Sequence, residues 1–303
     1  MPGSISVRRP GLFTTVQDLG RPGFAHLGVP AAGAVDASSL RLANRLVGNE
    51  EGAAALEITL AGPELIFESP TFVALTGGLV EATVNRQPVP MHAAQCIPSG
   101  GALVIGSVTA GVRTYLAVRG GIDVPPVLGS RSTDTLSGVG PTRLAGGQSL
   151  PVGSLVVGEP WEEVVPTPAI DVEPVLRVTL GPREDQFEPV AVQTLVHSVW
   201  TVTSASDRVG VRLEGPPLRW SEQPELRSEG MVTGAIQVPP DGQPIVFLAN
   251  HPTTGGYPVL AVVAADDLAL AAQARPGTTL RFRVIRPAVA GYPRAGPLAS
   301  TGR

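Results

Sequence analysis

The stretch at residues 11–36 reads GLFTTVQDLGRPGFAHLGVPAAGAVD. Residues 14–16, Thr-Thr-Val, are β-branched and predict a short strand. Glycine and proline then interrupt every regular pattern, as they do where a backbone must take positive φ or be approached closely. Because polar, glycine-rich loops after strands commonly carry function, we take Gln17, Asp18 and Arg21 as candidate substrate-binding residues. The alternative is an ordered surface loop held by its own Asx turns.

The rest of the chain follows a similar rhythm of short β-rich segments bounded by Gly, Pro or Asn. Strands are predicted at 55–60, 64–67, 72–76, 81–84, 102–105, 113–118, 175–180, 200–203, 235–238, 244–248 and 280–285. Helices are few and short: one after Asp36, one in the segment through Val196, and one at 266–274. This spacing predicts a mainly β chain of barrels or sandwiches with a few short helices.

Two domains are expected. Residues 158–174 are rich in proline and acidic residues and lack a periodic face, which is typical of a linker. We therefore predict an N-terminal domain at 1–160, a linker at 161–173 and a C-terminal domain at 174–287. The Pro/Gly/Ala-rich residues 288–303 are predicted to form a loose tail.

Composition excludes several function classes. The 303 residues carry a net charge of −4, which argues against nucleic acid or an anionic membrane as the main partner. All 22 basic residues are arginine, so the chain holds no Schiff-base lysine, no Walker-type lysine and no biotinyl-lysine. The single cysteine, Cys96, fits a reducing cytoplasm and is interpreted as a buried, inert thiol. No signal peptide or membrane-spanning run is recognised.

Metal and nucleophile motifs give little support for a site. The four histidines show no paired-ligand spacing, so no metal site is predicted, and there is no G-x-S-x-G elbow. His251 is kept as a candidate because it lies in a glycine-rich loop. Residues 129–133, Gly-Ser-Arg-Ser-Thr, could cradle an anion with backbone N–H groups and Arg131, although a tight turn is the alternative.

Two further groups could contact a ligand. Arg113 and Tyr115 alternate on one face of a predicted strand, where an arginine can bind carboxylate or phosphate. The alternative is an arginine paired to an acidic neighbour across the sheet. Near the other end, Gln237 precedes a loop with two hydroxyls, two glycines and an aromatic ring, which suits a small polar ligand. Its candidate residues are Thr253, Thr254, Gly255, Gly256 and Tyr257.

Taken together, these segments resemble the allophanate hydrolase subunit 2 family, also known as the C subunit of 5-oxoprolinase. They are similar too to the second half of the carboxyltransferase domain of urea amidolyase. The resemblance is carried in family order by TTVQDLGR (14–21), ANRLVGN (43–49), RTYLAVRGG (113–121), LGSRST (128–133), GAIQVPP (234–240) and TTGGYP (253–258). One departure is that Asn250, His251 and Pro252 stand where relatives usually read Asp-x-Gln.

The resemblance implies two cyclophilin-like β-barrel domains. It also implies a hetero-oligomer with a homologue of subunit 1, the B subunit of 5-oxoprolinase, and with a third, hydrolase subunit. The implied activity is ATP-dependent opening of the 5-oxoproline lactam to glutamate. ATP, with or without Mg²⁺, would be bound by this chain or by its partner. On this interpretation Arg113, Tyr115 and Arg131 are the candidate catalytic residues.

Two alternatives remain open. The chain could be a carboxyltransferase component that receives biotin carried on another protein, since it has no lysine to carry biotin itself. It could also be a non-catalytic regulatory partner of a kinase inhibitor. A cytoplasmic location is expected in each case.

Overall fold

The computed structural model describes residues 3–167, 169–181, 183–221 and 226–285. It confirms a mainly β chain with a few short helices. The α-helices are α1 (Ala37–Leu46), α2 (Ala191–His197) and α3 (Leu268–Gln273). Single 3₁₀ turns lie at Ala25–Leu27, Glu184–Gln186 and Ala265–Asp267. No helix within these described ranges is long and apolar enough to cross a membrane.

The first half forms one nine-stranded, curled sheet that resembles half of a barrel. Its strands are β1 (Ser4–Arg9), β2 (Phe13–Gln17), β3 (Ala55–Thr59), β4 (Glu64–Phe67), β5 (Thr71–Val84), β6 (Gln87–Val89), β7 (Gln95–Ile97), β8 (Gly101–Val118) and β9 (Ser149–Pro151). The order is β2-β3-β8-β4-β1-β9, and β5 pairs with β6, β7 and β8. The long strand β8 is therefore the centre of the sheet.

Strands β5 and β8 correct the sequence prediction, which divided each of them into two. Glycines within them accommodate irregular pairing instead of ending the strand. Gly77 has φ +84° and Gly111 has φ +79°, and the β5–β8 register shifts between Gly77 and Leu79. Such bulges bend a strand and re-aim its side chains, so the sheet can curl.

The second half is a closed seven-stranded barrel. Its strands are β10 (Val175–Leu180), β11 (Trp200–Val202), β12 (Gly210–Glu214), β14 (Ala235–Gln237), β15 (Ile245–Phe247), β17 (Val259–Val263) and β18 (Thr279–Val284). A small hairpin beside it pairs β13 (Glu229–Gly230) with β16 (Thr254–Gly255). The parallel pairing of β10 with β18 closes the barrel.

Separate apolar cores fill the two halves. Strands and α2 of the second half bury Trp200, Leu213 and Phe282, and Val35 from the first half joins this core. Helix α1 begins at its N-cap Asp36, whose side chain accepts a hydrogen bond from the Ser39 N–H at 3.0 Å. The helix then packs its apolar face against the first sheet. The segment before Asp36 therefore connects both cores.

The predicted linker lies along the first half. The backbone N–H of Trp161 donates to the Leu46 carbonyl at 2.9 Å, and that of Val165 donates to the His92 carbonyl at 2.9 Å. The domain boundaries themselves stay a prediction, and the predicted tail at 288–303 lies outside the described residues. Cys96 was expected to be buried, but its side chain is exposed on the edge strand β7.

Candidate functional site

The Asp18 carboxylate is bound by the loop at residues 129–133, for which the sequence left an anion cradle and a tight turn as alternatives. Its Oδ1 accepts hydrogen bonds from the Gly20 N–H at 2.7 Å and the Ser130 hydroxyl at 2.6 Å. Its Oδ2 accepts from the Arg131 N–H at 2.6 Å. The loop therefore does bind an anion, but that anion belongs to the chain itself.

Arg131 is held beside this cradle. Its Nε donates to the Val124 carbonyl at 2.8 Å, and its Nη2 donates to Asp123 Oδ1 at 2.7 Å. The guanidinium is partly exposed and lines a hollow of about 280 Å³ that Asp18 and Gly121 also line. These contacts use two of its five N–H groups, so the others can still donate to a ligand in the hollow.

Gln17 and Arg21 lie on the buried side of the same loop. The Gln17 amide donates to the Thr15 hydroxyl and the Thr133 carbonyl, both at 3.0 Å. The Arg21 guanidinium, which is 1% exposed, donates to the Ser132 carbonyl. Burial lowers the pKa of Arg21, although the nearby Asp18 and Asp134 charges oppose that shift. Both side chains therefore hold the loop in place.

A second group of polar residues lies between the sheet and the barrel. We name it the interdomain cluster, and it consists of Asp36, Glu57, Arg113, Tyr115, Arg208 and Gln273. Glu57 Oε1 is 3.9 Å from Arg113 Nε and also accepts a hydrogen bond from Arg208. Arg113 and Arg208 are 5% and 4% exposed. One strand carboxylate thus holds an arginine from each half of the chain.

Tyr115 completes the other side of that carboxylate. Its hydroxyl donates to Glu57 Oε2 at 2.7 Å and accepts from the Asp36 N–H at 2.8 Å. Burial, together with the negative charges of Glu57 and Asp36, raises the pKa of Tyr115 well above its ordinary value. The phenol therefore stays protonated, and its catalytic role stays a prediction.

The pKa of Glu57 shifts in the opposite direction. Burial alone would raise it, but the charges of Arg208 and Arg113 and the bonds from the Val35 N–H and the Tyr115 hydroxyl lower the pKa overall. Glu57 is therefore an anion at neutral pH. Its charge compensates part of the cost of burying two guanidinium groups.

Gln273 connects the barrel to the sheet by a third route. Its amide nitrogen donates to Asp36 Oδ2 at 2.8 Å and to the Arg113 carbonyl at 2.9 Å. Its oxygen accepts from the backbone N–H groups of Val112 at 2.9 Å and Arg113 at 3.0 Å. The Arg113 guanidinium in turn donates to the Ala272 carbonyl and, at 3.0 Å, to the Asp207 carbonyl. Arg113 is thereby bound across the interface.

Asn250 joins the Asp18 loop to the interdomain cluster. Its oxygen accepts from Arg208 Nη2 at 2.7 Å, and its nitrogen donates to Asp134 Oδ1. Asp134 follows the 129–133 loop directly. The amide at position 250 thus bridges a cation and an anion, which a carboxylate there could not do without a proton.

The second glycine-rich loop forms a separate group at the β13–β16 hairpin. The Gln237 amide donates to the Tyr257 carbonyl at 3.1 Å, and the Tyr257 ring lies 6.3 Å from the Trp220 ring. Thr253 accepts a backbone hydrogen bond from Met231. Thr254 and Gly255 form β16, and a Cβ on Gly256 would meet nothing within 4 Å. This loop is open enough for a ligand.

His251 turns away from the open loop. It is 7% exposed, and its ring stacks on Phe247 with the centroids 5.9 Å apart. Burial lowers its pKa, although a bond to the Pro252 carbonyl opposes the shift. His251 is therefore neutral at pH 7 and packs between the Asn250 bridge and the loop.

Several residues of the interdomain cluster were not identified from the sequence. Glu57 gave one usable signal, since it is a charged residue within the apolar strand ALEIT, where burial demands a partner. Gln273 gave none, and neither did Asp134, which reaches the cluster through Asn250, because their partners lie 160 and 116 positions away.

The groups predicted to bind phosphate already have partners within this chain. Arg113 and Arg131 donate to groups of this chain, and Asp18 fills the loop that could have cradled phosphate. We therefore derive no step through ATP on this chain. Among the described residues, no three His, Cys, Asp or Glu side chains are grouped as metal ligands.

Comparison with known proteins places the chain in a family. A family model for the carboxyltransferase domain, subdomains A and B, matches residues 27–284. The chain belongs to this carboxyltransferase family. The C subunit of 5-oxoprolinase from Escherichia coli K12 is 38% identical to it over 92% of this chain and 90% of that protein.

Other members of the carboxyltransferase family are much longer. The urea amidolyase of Lachancea kluyveri is 36% identical over 93% of this chain, which spans 17% of that protein. The crystal structure of the K. lactis urea amidolyase superposes with a TM-score of 0.88 at 34% identity, over 94% of this chain and 19% of that one. The resemblance inferred from the sequence motifs is thus confirmed.

Proposed function

We propose that this chain is the C-type subunit of an ATP-dependent 5-oxoprolinase, which opens the 5-oxoproline lactam to glutamate. The observation that carries the proposal is the match with the E. coli 5-oxoprolinase protein over nine-tenths of both chains. A cytoplasmic location forms part of the same proposal.

A partner is expected because a relative is named as a subunit. We propose that a homologue of the 5-oxoprolinase B subunit joins this chain and that a third protein of the complex completes hydrolysis. An amide carbonyl resists attack until its oxygen is stabilised as an oxyanion or converted into a leaving group. Since the arginines predicted to meet phosphate are engaged within the chain, we propose that the partner binds the nucleotide.

On this proposal the chain's own residues bind and orient the substrate. The interdomain cluster holds the sheet and the barrel in one arrangement, and the β13–β16 loop offers hydroxyls, open glycine backbone and the 44%-exposed Tyr257. The predicted substrate-binding residues from Gln237 to Tyr257 lie in this part of the chain. Their direct contact with substrate is tested by single variants in the assembled complex.

The decisive experiment measures ATP turnover, with and without 5-oxoproline, by this chain co-expressed with its partner and the third protein. Turnover that requires 5-oxoproline and releases glutamate supports the proposal. The same preparation without this chain controls for unrelated ATPase activity. An intact complex that hydrolyses no ATP and forms no glutamate would refute it.

A second candidate is a carboxyltransferase half-site that receives biotin from another protein. The family model and the match to the urea amidolyase structure favour it. Avidin added to the complex should abolish activity if biotin takes part. Lactam-dependent turnover that avidin leaves unchanged would exclude this candidate.

A further inference from the structure

A pocket of about 450 Å³ lies at the seam between the sheet and the barrel, outside the two glycine-rich loops. Both halves of the chain line it. Its walls include Phe13, Thr59, Arg113, Ser204, Arg208 and Val211. Its volume falls within the range of small-molecule sites, which commonly occur between domains.

The buried charged side chains that line this pocket are both arginines. Arg113 and Arg208 both approach Glu57 Oε1, so two buried guanidinium groups share one buried carboxylate. Asp207 also lines the pocket, but its side chain is exposed and its Oδ1 accepts from the Val209 N–H at 2.8 Å and the Gly210 N–H at 3.2 Å. The buried carboxylates Glu57 and Asp36 lie outside the pocket lining, so the charged side chains that line it are two buried arginines and one exposed aspartate. An anion in the pocket would face these two guanidinium groups.

Two lining residues carry polar atoms that lack a partner. Within the described part of the chain, Thr59 Oγ1 and Arg113 Nε are buried and form no hydrogen bond. Thr59 and Arg113 are directly opposite each other in the β3–β8 register, so their side chains leave the sheet on the same face. A buried polar group without a partner is costly, and a ligand acceptor that reached either atom from the pocket would relieve that cost.

The remaining walls are mostly apolar. Phe13, Leu60, Val112, Val211 and Pro276 surround the polar edge. This arrangement suits a ligand with a compact hydrocarbon body and one charged end.

We propose that this pocket binds a small monocarboxylic acid with a compact body, its carboxylate toward Thr59 and Arg113. The assignment of that acid as 5-oxoproline rests on the proposed function. Binding by the pocket does not depend on ATP or on turnover, so the two proposals can fail separately.

The test measures binding of three probes to the full chain, alone and in its complex, by calorimetry or ligand-observed NMR. The probes are 5-oxoproline, cyclopentanecarboxylate and 2-pyrrolidinone, which lacks the carboxylate. Thr59→Val removes the hydroxyl at nearly constant shape, and Ser204→Phe fills the pocket from its exposed rim. Thr203→Val is the matched control, since Thr203 Oγ1 is also buried without a partner in the described part of the chain but lies outside this pocket.

We expect both acids to bind and 2-pyrrolidinone to bind at least tenfold more weakly. Thr59→Val should weaken acid binding about tenfold, as for one hydrogen bond to a charged group. Ser204→Phe should abolish it, and Thr203→Val should leave it unchanged. The proposal would be overturned if neither the chain alone nor its complex bound either acid. Equal acid affinities of Thr59→Val and Thr203→Val would also overturn it.

The same variants separate this inference from the proposed function. Lactam-dependent ATP turnover with an unchanged KM in Thr59→Val and Ser204→Phe would retain the function and reject the pocket as the 5-oxoproline site. Acid binding sensitive to both variants, without turnover by the complex, would retain the pocket and reject the function.

Discussion

Replacing Glu57 with glutamine should destabilise the protein by about 3–5 kcal/mol, because it leaves two buried guanidinium groups without their carboxylate. Both Glu57 oxygens accept hydrogen bonds, one from Arg208 and the other from the Val35 N–H and the Tyr115 hydroxyl. A glutamine must turn its NH₂ toward one of these donor groups. The loss of charge and the contact between two donor groups therefore both destabilise the folded variant.

Urea and thermal unfolding measure this effect. A loss of this size should lower Tm by roughly 10 °C in a chain of this length. In a Trp161→Phe background, which removes the tryptophan that lies along the first half, Trp200 and Trp220 report on the barrel by fluorescence, whereas circular dichroism reports on both halves. Because Glu57 links the halves, the two signals should separate in the variant more than in the wild type.

Glu64→Gln provides the matched control. Glu64 also meets two arginines, Arg8 and Arg9, but their side chains are 65% and 70% exposed. Solvent screens such pairs, so this variant should unfold almost like the wild type. Glu57→Gln could instead unfold like Glu64→Gln, with coincident fluorescence and circular dichroism transitions. That result would show that the buried ion pairs do not hold the two halves together.

The pH dependence of the Glu57 variant has a defined sign. The folded pKa of Glu57 is lowered from its ordinary value of 4.5. Its contribution to stability is therefore complete above pH 4.5 and is lost as pH falls through the lowered folded value. The stability gap between wild type and variant should be constant from about pH 7 to about pH 5 and narrow below. A gap that widens on acidification would contradict the assignment.

Three further variants test neighbouring contacts. Tyr115→Phe should lower the free energy of unfolding by about 1–3 kcal/mol, since it removes the hydrogen bond to Glu57 and leaves the buried Asp36 N–H without an acceptor. An unchanged midpoint of urea unfolding would contradict this prediction. Asp18→Asn should lower the free energy of unfolding by about 1–3 kcal/mol and speed amide hydrogen exchange at residues 129–133. Exchange rates equal to those of the wild type would argue against binding of the Asp18 carboxylate by this loop. Asn250→Asp should place a carboxylate against Asp134 and raise one pKa, so this variant should lose stability relative to wild type as pH rises from about 5 to about 8. A pH-independent difference would count against that contact.

The mainly β fold could be predicted from the sequence, but the bounds of its two longest strands could not. Strand rhythm and turn residues indicated a mainly β chain, and the N-cap Asp36 was predicted correctly. The long strands β5 and β8 were divided because glycine was interpreted as an end. In a curled sheet glycine also serves as a bulge, and only pairing with a distant strand decides between these roles.

The candidate site was predicted in parts. Residue type and loop composition pointed to Asp18, Arg113 and Arg131, but local sequence could not show what each one meets. Local sequence left the 129–133 loop open between an anion cradle and a tight turn, and it could not show that the anion, Asp18, lies more than a hundred residues earlier. Arg113 was expected to meet a ligand or a cross-strand acid, and the structure gives it Glu57 on the paired strand.

The amide at position 250 changes how the interface responds to pH. An aspartate at this position would place a carboxylate against Asp134, and the pair would have to share a proton or recruit a cation. Asn250 instead donates to Asp134 and accepts from Arg208. The bridge therefore needs no proton from solvent. The arrangement of sheet and barrel, and the pocket at their seam, should accordingly stay constant over a pH range in which an aspartate pair would change its charge.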